Sequence, residues 1–211
     1  MPPNSAILLE PVTASGDAAG RRGVAVLGRA TIRHASVDAP ILLLVYGLLR
    51  LIDGLDGAYG RSLAWNLAHL ALLASLVLFA LLAVAVRPLA PSGARLVAAL
   101  AVTATVAGTV CFLWTATGFL SSAIGAVTPL PAPLRSAGPL LFSLGMLTLL
   151  GLLVASRRAP AWSPLLFGAG FAAMLIDRDF LLPAALILLA ALAPLARPRS
   201  GDAGHRPVRQ R

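Results

Sequence analysis

The residues of this chain that could do chemistry fall in two short stretches set among apolar sequence. Arg50, Asp53, Asp56, Asn66 and His69 lie within 46–69, and Asp177, Arg178 and Asp179 follow one another near the end. On a helix, residues three apart are surface neighbours, so Arg50 can pair with Asp53, Asp53 can share a face with Asp56, and Asn66 can share one with His69. Carboxylates beside an imidazole can hold a divalent cation or grip a small polar solute. Ionisable groups inside an apolar span are expensive, which marks this set as the candidate functional cluster. The same residues have a structural use as well. Arg50 can snorkel or pair, the Asp53–Asp56–Gly57 stretch suits a tight turn, and Asn66 and His69 can bond neighbouring helices.

The elements that must carry these groups are read from composition. The chain has 211 residues, of which 58% are hydrophobic and 12% charged, and its mean hydropathy is +0.87. A soluble domain is about one quarter charged, so the pattern is that of a membrane protein. The expected fold is all-α and integral to the membrane, a bundle of about six transmembrane helices with short connections. The spans are read at 37–55, 62–86, 96–119, 139–156, 161–176 and 180–196. The first is entered at Pro40, a residue tolerated in a first turn. To reach the roughly 20 residues a bilayer needs, it must include Arg50 and Asp53. Pro129, Pro131 and Pro133 place the longest internal connection at 120–137. The third span is rich in threonine, and its Ala104 and Gly108 are spaced for close helix approach. Residues 1–36 read as a flexible basic tail, 37–196 as the six-span domain, and 197–211 as an Arg-rich tail.

All 17 basic residues are arginine, and their distribution sets an orientation. With six spans, thirteen arginines fall on the side of the termini (Arg21, Arg22, Arg29, Arg33, Arg87, Arg95, Arg157, Arg158 and five after 196), against Arg61, Arg135 and Arg178 opposite. The positive-inside rule then places both termini in the cytoplasm, with the chain in the cytoplasmic membrane. The polar cluster lies at the outer face, with Trp65 and Trp114 near the outer interface and Trp162 near the inner one. The arginines are scattered among apolar spans and form no single basic face. They therefore suit the bilayer and its anionic lipids at the Arg-rich tails, and no nucleic acid is expected.

The stretch Asp53-Gly-Leu-Asp56-Gly57-Ala-Tyr-Gly60-Arg61 resembles the first half of the CDP-alcohol phosphotransferase signature, D-x-x-D-G-x-x-A-R. That resemblance covers nine residues and implies a six-span enzyme with four aspartates around two metal ions. Gly60 stands where the family has alanine, and no acidic residue occurs between Asp56 and Asp177. The second aspartate pair is therefore absent, which leaves the stretch a coincidence or a degenerate remnant. Other chemistries lack their residues too. His69 is the lone histidine placed within a span, and a single imidazole makes a poor haem or zinc site. Cys111 is the one cysteine, a small buried hydrophobe by position, and excludes an internal disulfide. Paired-histidine metalloprotease motifs are missing. No catalytic residue, metal or cofactor is assigned. The expected function is a non-enzymatic accessory or scaffolding subunit with a membrane-protein partner. A small-solute or ion carrier ranks second and a degenerate transferase third.

Overall fold

The computed structural model describes residues 14–54, 63–120, 131–177 and 180–197, with side chains in the first helix from Gly28 onward. Among the described residues there are six α-helices and no strand. They are α1 (Ala14–Gly54), α2 (Leu63–Val86), α3 (Arg95–Leu120), α4 (Ala132–Ala155), α5 (Trp162–Ile176) and α6 (Leu181–Ala196). Two single 3-10 turns, Arg87–Leu89 and Ser92–Ala94, join α2 to α3.

Length and composition separate these helices into two kinds. The segments Gly28–Gly54, Leu63–Leu89, Ser92–Thr117 and Ser136–Ala155 are long and apolar enough to cross a membrane. Helices α5 and α6 are equally apolar but have 15 and 16 residues. At 1.5 Å per residue they extend roughly 22–24 Å, short of a hydrocarbon core of about 30 Å. The outward faces of the long helices are greasy, with Leu81, Leu96, Leu100 and Leu144 all exposed. In water such surface would be an aggregation hazard; against lipid tails it needs no cover.

The helices pack as a ring of antiparallel neighbours. Each contacts the next along the chain, and α6 closes the ring against α1. Between α1 and α2 the register is marked by Ser75, whose hydroxyl donates to the Ala39 carbonyl at 2.7 Å. Between α5 and α6 the hydroxyl of Ser163 donates to the Ala191 carbonyl. Such bonds tie helices where a hydrophobic driving force between them is missing. The ring is filled by phenylalanines. Phe79 of α2 meets Phe142 of α4 edge-on at 5.7 Å, and Phe142 lies 5.5 Å from Phe171 of α5. Edge-to-face pairs of this kind add specificity to plain burial.

The α3–α4 pair approaches closely, because glycines face it from both sides. A Cβ on Gly108 would lie 2.6 Å from the Gly138 carbonyl and 2.9 Å from the Phe142 Cα; on Gly145 it would lie 2.6 Å from the Ala101 carbonyl. Of the two α3 residues expected to permit close approach, Gly108 is buried at the crossing and Ala104 is half-buried beside it.

The structure corrects two boundaries. The first helix begins at Ala14 and runs unbroken through the stretch expected as tail, burying Ile32, Ala35 and Ser36. Charge at Arg29, Arg33 and Asp38 masked an amphipathic face that the ring covers. Pro40 is therefore not at a helix entrance but inside α1, fully buried. Helix α4 likewise starts at Ala132, not near Pro139. Pro131 is its N-cap, Pro133 sits in its first turn, and Pro139 lies within it. Prolines in a first turn cost nothing, since those N–H groups have no helical partner. The bounds of α2, α3, α5 and α6 agree with the expected spans to within one residue.

Candidate functional site

The polar cluster is assembled by the i, i+4 geometry of two neighbouring helices. On α1, one turn separates Tyr46 from Arg50, and the guanidinium Nη1 donates to the Tyr46 hydroxyl at 2.9 Å. On α2, one turn separates Trp65 from His69, and His69 Nδ1 lies 2.9 Å from the Trp65 carbonyl oxygen. A carbonyl only accepts, so this bond places a proton on Nδ1.

The two helices interlock through their rings. The imidazole lies 4.3 Å from the Trp65 ring and meets Tyr46 edge-on at 5.8 Å. The Arg50 guanidinium sits over the Trp65 ring, 5.9 Å from its centroid, a cation–π arrangement across the helix pair. His69 and Asp53 are each 2% exposed and Tyr46 is 7% exposed. Polar tips this enclosed must be bonded, and among the described residues no buried side-chain nitrogen or oxygen lacks a partner.

This arrangement sorts the expected site residues. Arg50, Asp53 and His69 all lie in the α1–α2 cluster region. The hydrogen-bonding partner seen for Arg50 is the Tyr46 hydroxyl. Asn66 is exposed while His69 is buried. Three residues of separation leave them about 60° apart around the helix, enough to put one inside and one outside. Asp177 is exposed at the C-terminal end of α5, where its carbonyl accepts from the Phe180 backbone N–H at 3.3 Å. Gly47 of α1 packs against Leu181 and Leu182 of α6, so that turn lies at the cluster's end of the bundle. Asp56, Arg61, Arg178 and Asp179 lie outside the described residues.

Two members went unrecognised in the sequence, Tyr46 and Trp65. Their signal was the four-residue step to Arg50 and His69, which places a ring beside each polar head. Among the described residues, no three His, Cys, Asp or Glu side chains group to hold a metal ion.

At the other end of the bundle the connections carry Arg87, Arg95, Arg157 and Arg158, all exposed. A recess of about 310 Å³ opens between α2 and α3, lined by Arg87, Pro88, Ala90, Ser92 and Arg95. Trp65 and Trp114 lie toward the cluster end and Trp162 toward the arginine end. Compared with protein-family models, curated proteins and solved structures, the chain matches none.

Proposed function

We propose that this chain is a six-span protein of the cytoplasmic membrane, with both termini in the cytoplasm, that acts as a non-enzymatic accessory or scaffolding subunit. One observation carries the reading. The polar side chains described within the bundle have settled partners: Ser75 bonds the Ala39 carbonyl and Ser163 the Ala191 carbonyl across helix pairs, while Arg50 bonds Tyr46 and His69 bonds Trp65 one turn away on their own helices. A catalytic or transport site needs polar groups that change partners during turnover, whereas a scaffold needs them fixed.

The orientation rests on the arginines of the α2–α3 and α4–α5 connections, opposite in position to the polar cluster. Anionic lipid at that basic rim and at the Arg-rich tail is part of the same reading. The six-span count includes α5 and α6, which are held within the ring and reach the interface with local thinning of the bilayer.

The test compares assembly with uptake. A photo-reactive residue at Leu100 or Leu144, both on outward faces, is expected to cross-link one defined membrane protein in cells. Loss of the chain is expected to lower the abundance of that partner's complex, and Asp53→Asn to weaken the complex without abolishing any solute flux. A folded Asp53→Asn protein that loses uptake of a solute, with every membrane complex unchanged, would replace this reading with that of a carrier.

A further inference from the structure

The sequence placed Asp38 at the edge of the first span, but the structure moves it to the middle. Ala39, its neighbour, accepts the Ser75 hydroxyl bond, and Ser75 lies halfway along α2, which runs Leu63–Val86. Nine residues separate Asp38 from Gly47, which packs on the start of α6. At 1.5 Å each, that is about 13 Å, roughly half the length of α6. Asp38 therefore sits near mid-depth of the bundle.

It also points outward. Asp38 is exposed, and among the described residues it has no hydrogen bond or ion pair. His34, one turn before it, is exposed on the same face and likewise has no partner among the described residues. The face continues through Ile41, Val45 and Leu48, all exposed. A carboxylate facing lipid at this depth is costly, and such groups in membrane proteins pair or face protein.

From this placement we propose that the outward face of α1 is a self-association surface, covered by the same face of a second copy. This rests on the membrane reading above but not on the accessory role. Two copies inserted alike can meet only about an axis along the membrane normal, which runs their α1 helices side by side in the same direction. Asp38 then stands about one turn, some 6 Å of rise, above His34 of the other copy. A modest crossing or tilt lets each carboxylate accept from the opposite imidazole. The face thus carries its own acceptor, its own donor, and an apolar seam at Ile41, Val45 and Leu48. Charge complementarity of this kind makes a second copy the fitting occupant, since each copy supplies the group the other needs.

The test uses the full chain in lipid. Fluorescent protein reconstituted at high dilution in liposomes is counted by single-molecule photobleaching, and two-step bleaching is expected. Asp38→Leu and His34→Ala should each lower the dimer fraction at least tenfold at the same protein-to-lipid ratio. In a Cys111→Ala background, Val45→Cys should form an oxidant-induced dimer, while Leu165→Cys on α5, exposed on another side, should not. One-step bleaching of the unaltered protein, or equal cross-linking at the two cysteines, overturns the proposal. So does cross-linking of Val45→Cys to a different protein alone. Release of the chain from membranes by alkaline carbonate would instead overturn the membrane reading itself, so the two failures are distinguishable.

Discussion

Replacing Gly108 by alanine probes the close crossing of α3 and α4. The added Cβ would fall against the backbone nitrogen of Phe142 and only 2.6 Å from the Gly138 carbonyl. Ordinary contact begins near 3.4 Å, so α3 and α4 must part by close to 1 Å, because backbone atoms cannot rotate away. Overpacking of this kind costs about 1–3 kcal/mol, and a gap of that size forfeits a quarter to a half of each dispersion contact along the pair. Alanine's better helix propensity returns about 0.5–1 kcal/mol, so a net destabilisation of about 1–2 kcal/mol is expected. Gly145→Ala is expected to act alike, since its Cβ would meet Thr105 and the Ala101 carbonyl. Gly151, also on α4, has nothing within 4 Å of its would-be Cβ, so Gly151→Ala isolates the propensity gain and should be neutral or slightly stabilising. The assay is reversible unfolding in mixed micelles with increasing denaturing detergent, followed by circular dichroism. The Gly108→Ala and Gly145→Ala double variant should cost less than the sum of the singles, because one separation relieves both clashes. If Gly108→Ala and Gly151→Ala unfold at the same detergent fraction, the close crossing is not a source of stability and the reasoning fails.

Two further predictions use the same unfolding assay. Tyr46→Phe keeps the ring against His69 but removes the acceptor of the Arg50 bond, so a loss of about 1 kcal/mol is expected, reduced from the usual value for a charged donor because Arg50 is half-buried. Arg157 ends α4 with φ at 54°, a left-handed conformation in which the Arg158 amide bonds back to the Leu153 carbonyl. Arg157→Gly should therefore stabilise the chain by up to about 1 kcal/mol, and a loss of stability would mean that the arginine side chain outweighs the backbone strain.

Composition and the placing of charged breakers are enough to read the solvent this protein is built for and the helices that run cleanly between them. Helices α2, α5 and α6 were legible because uninterrupted apolar runs end at Arg87, Asp177 and Arg197, where charge meets the interface. The sequence also showed that Arg50, Asp53 and His69 lie near facing ends of two consecutive helices, but not whether they meet. Which way each helix turns follows from packing and could not be read from spacing. Asn66 and His69 have equal claims by spacing, yet one faces out and one is buried, because the packing of α1 against α2 selects the face. The N-terminal half of α1 was illegible for the same reason. Its arginines and Asp38 lower the local hydropathy, while Ile32, Ala35 and Ser36 find cover within the ring. Depth, too, was a tertiary property. Asp38 reads as a boundary residue along the chain, and becomes a mid-depth one once Ser75 fixes the register of α1 against α2.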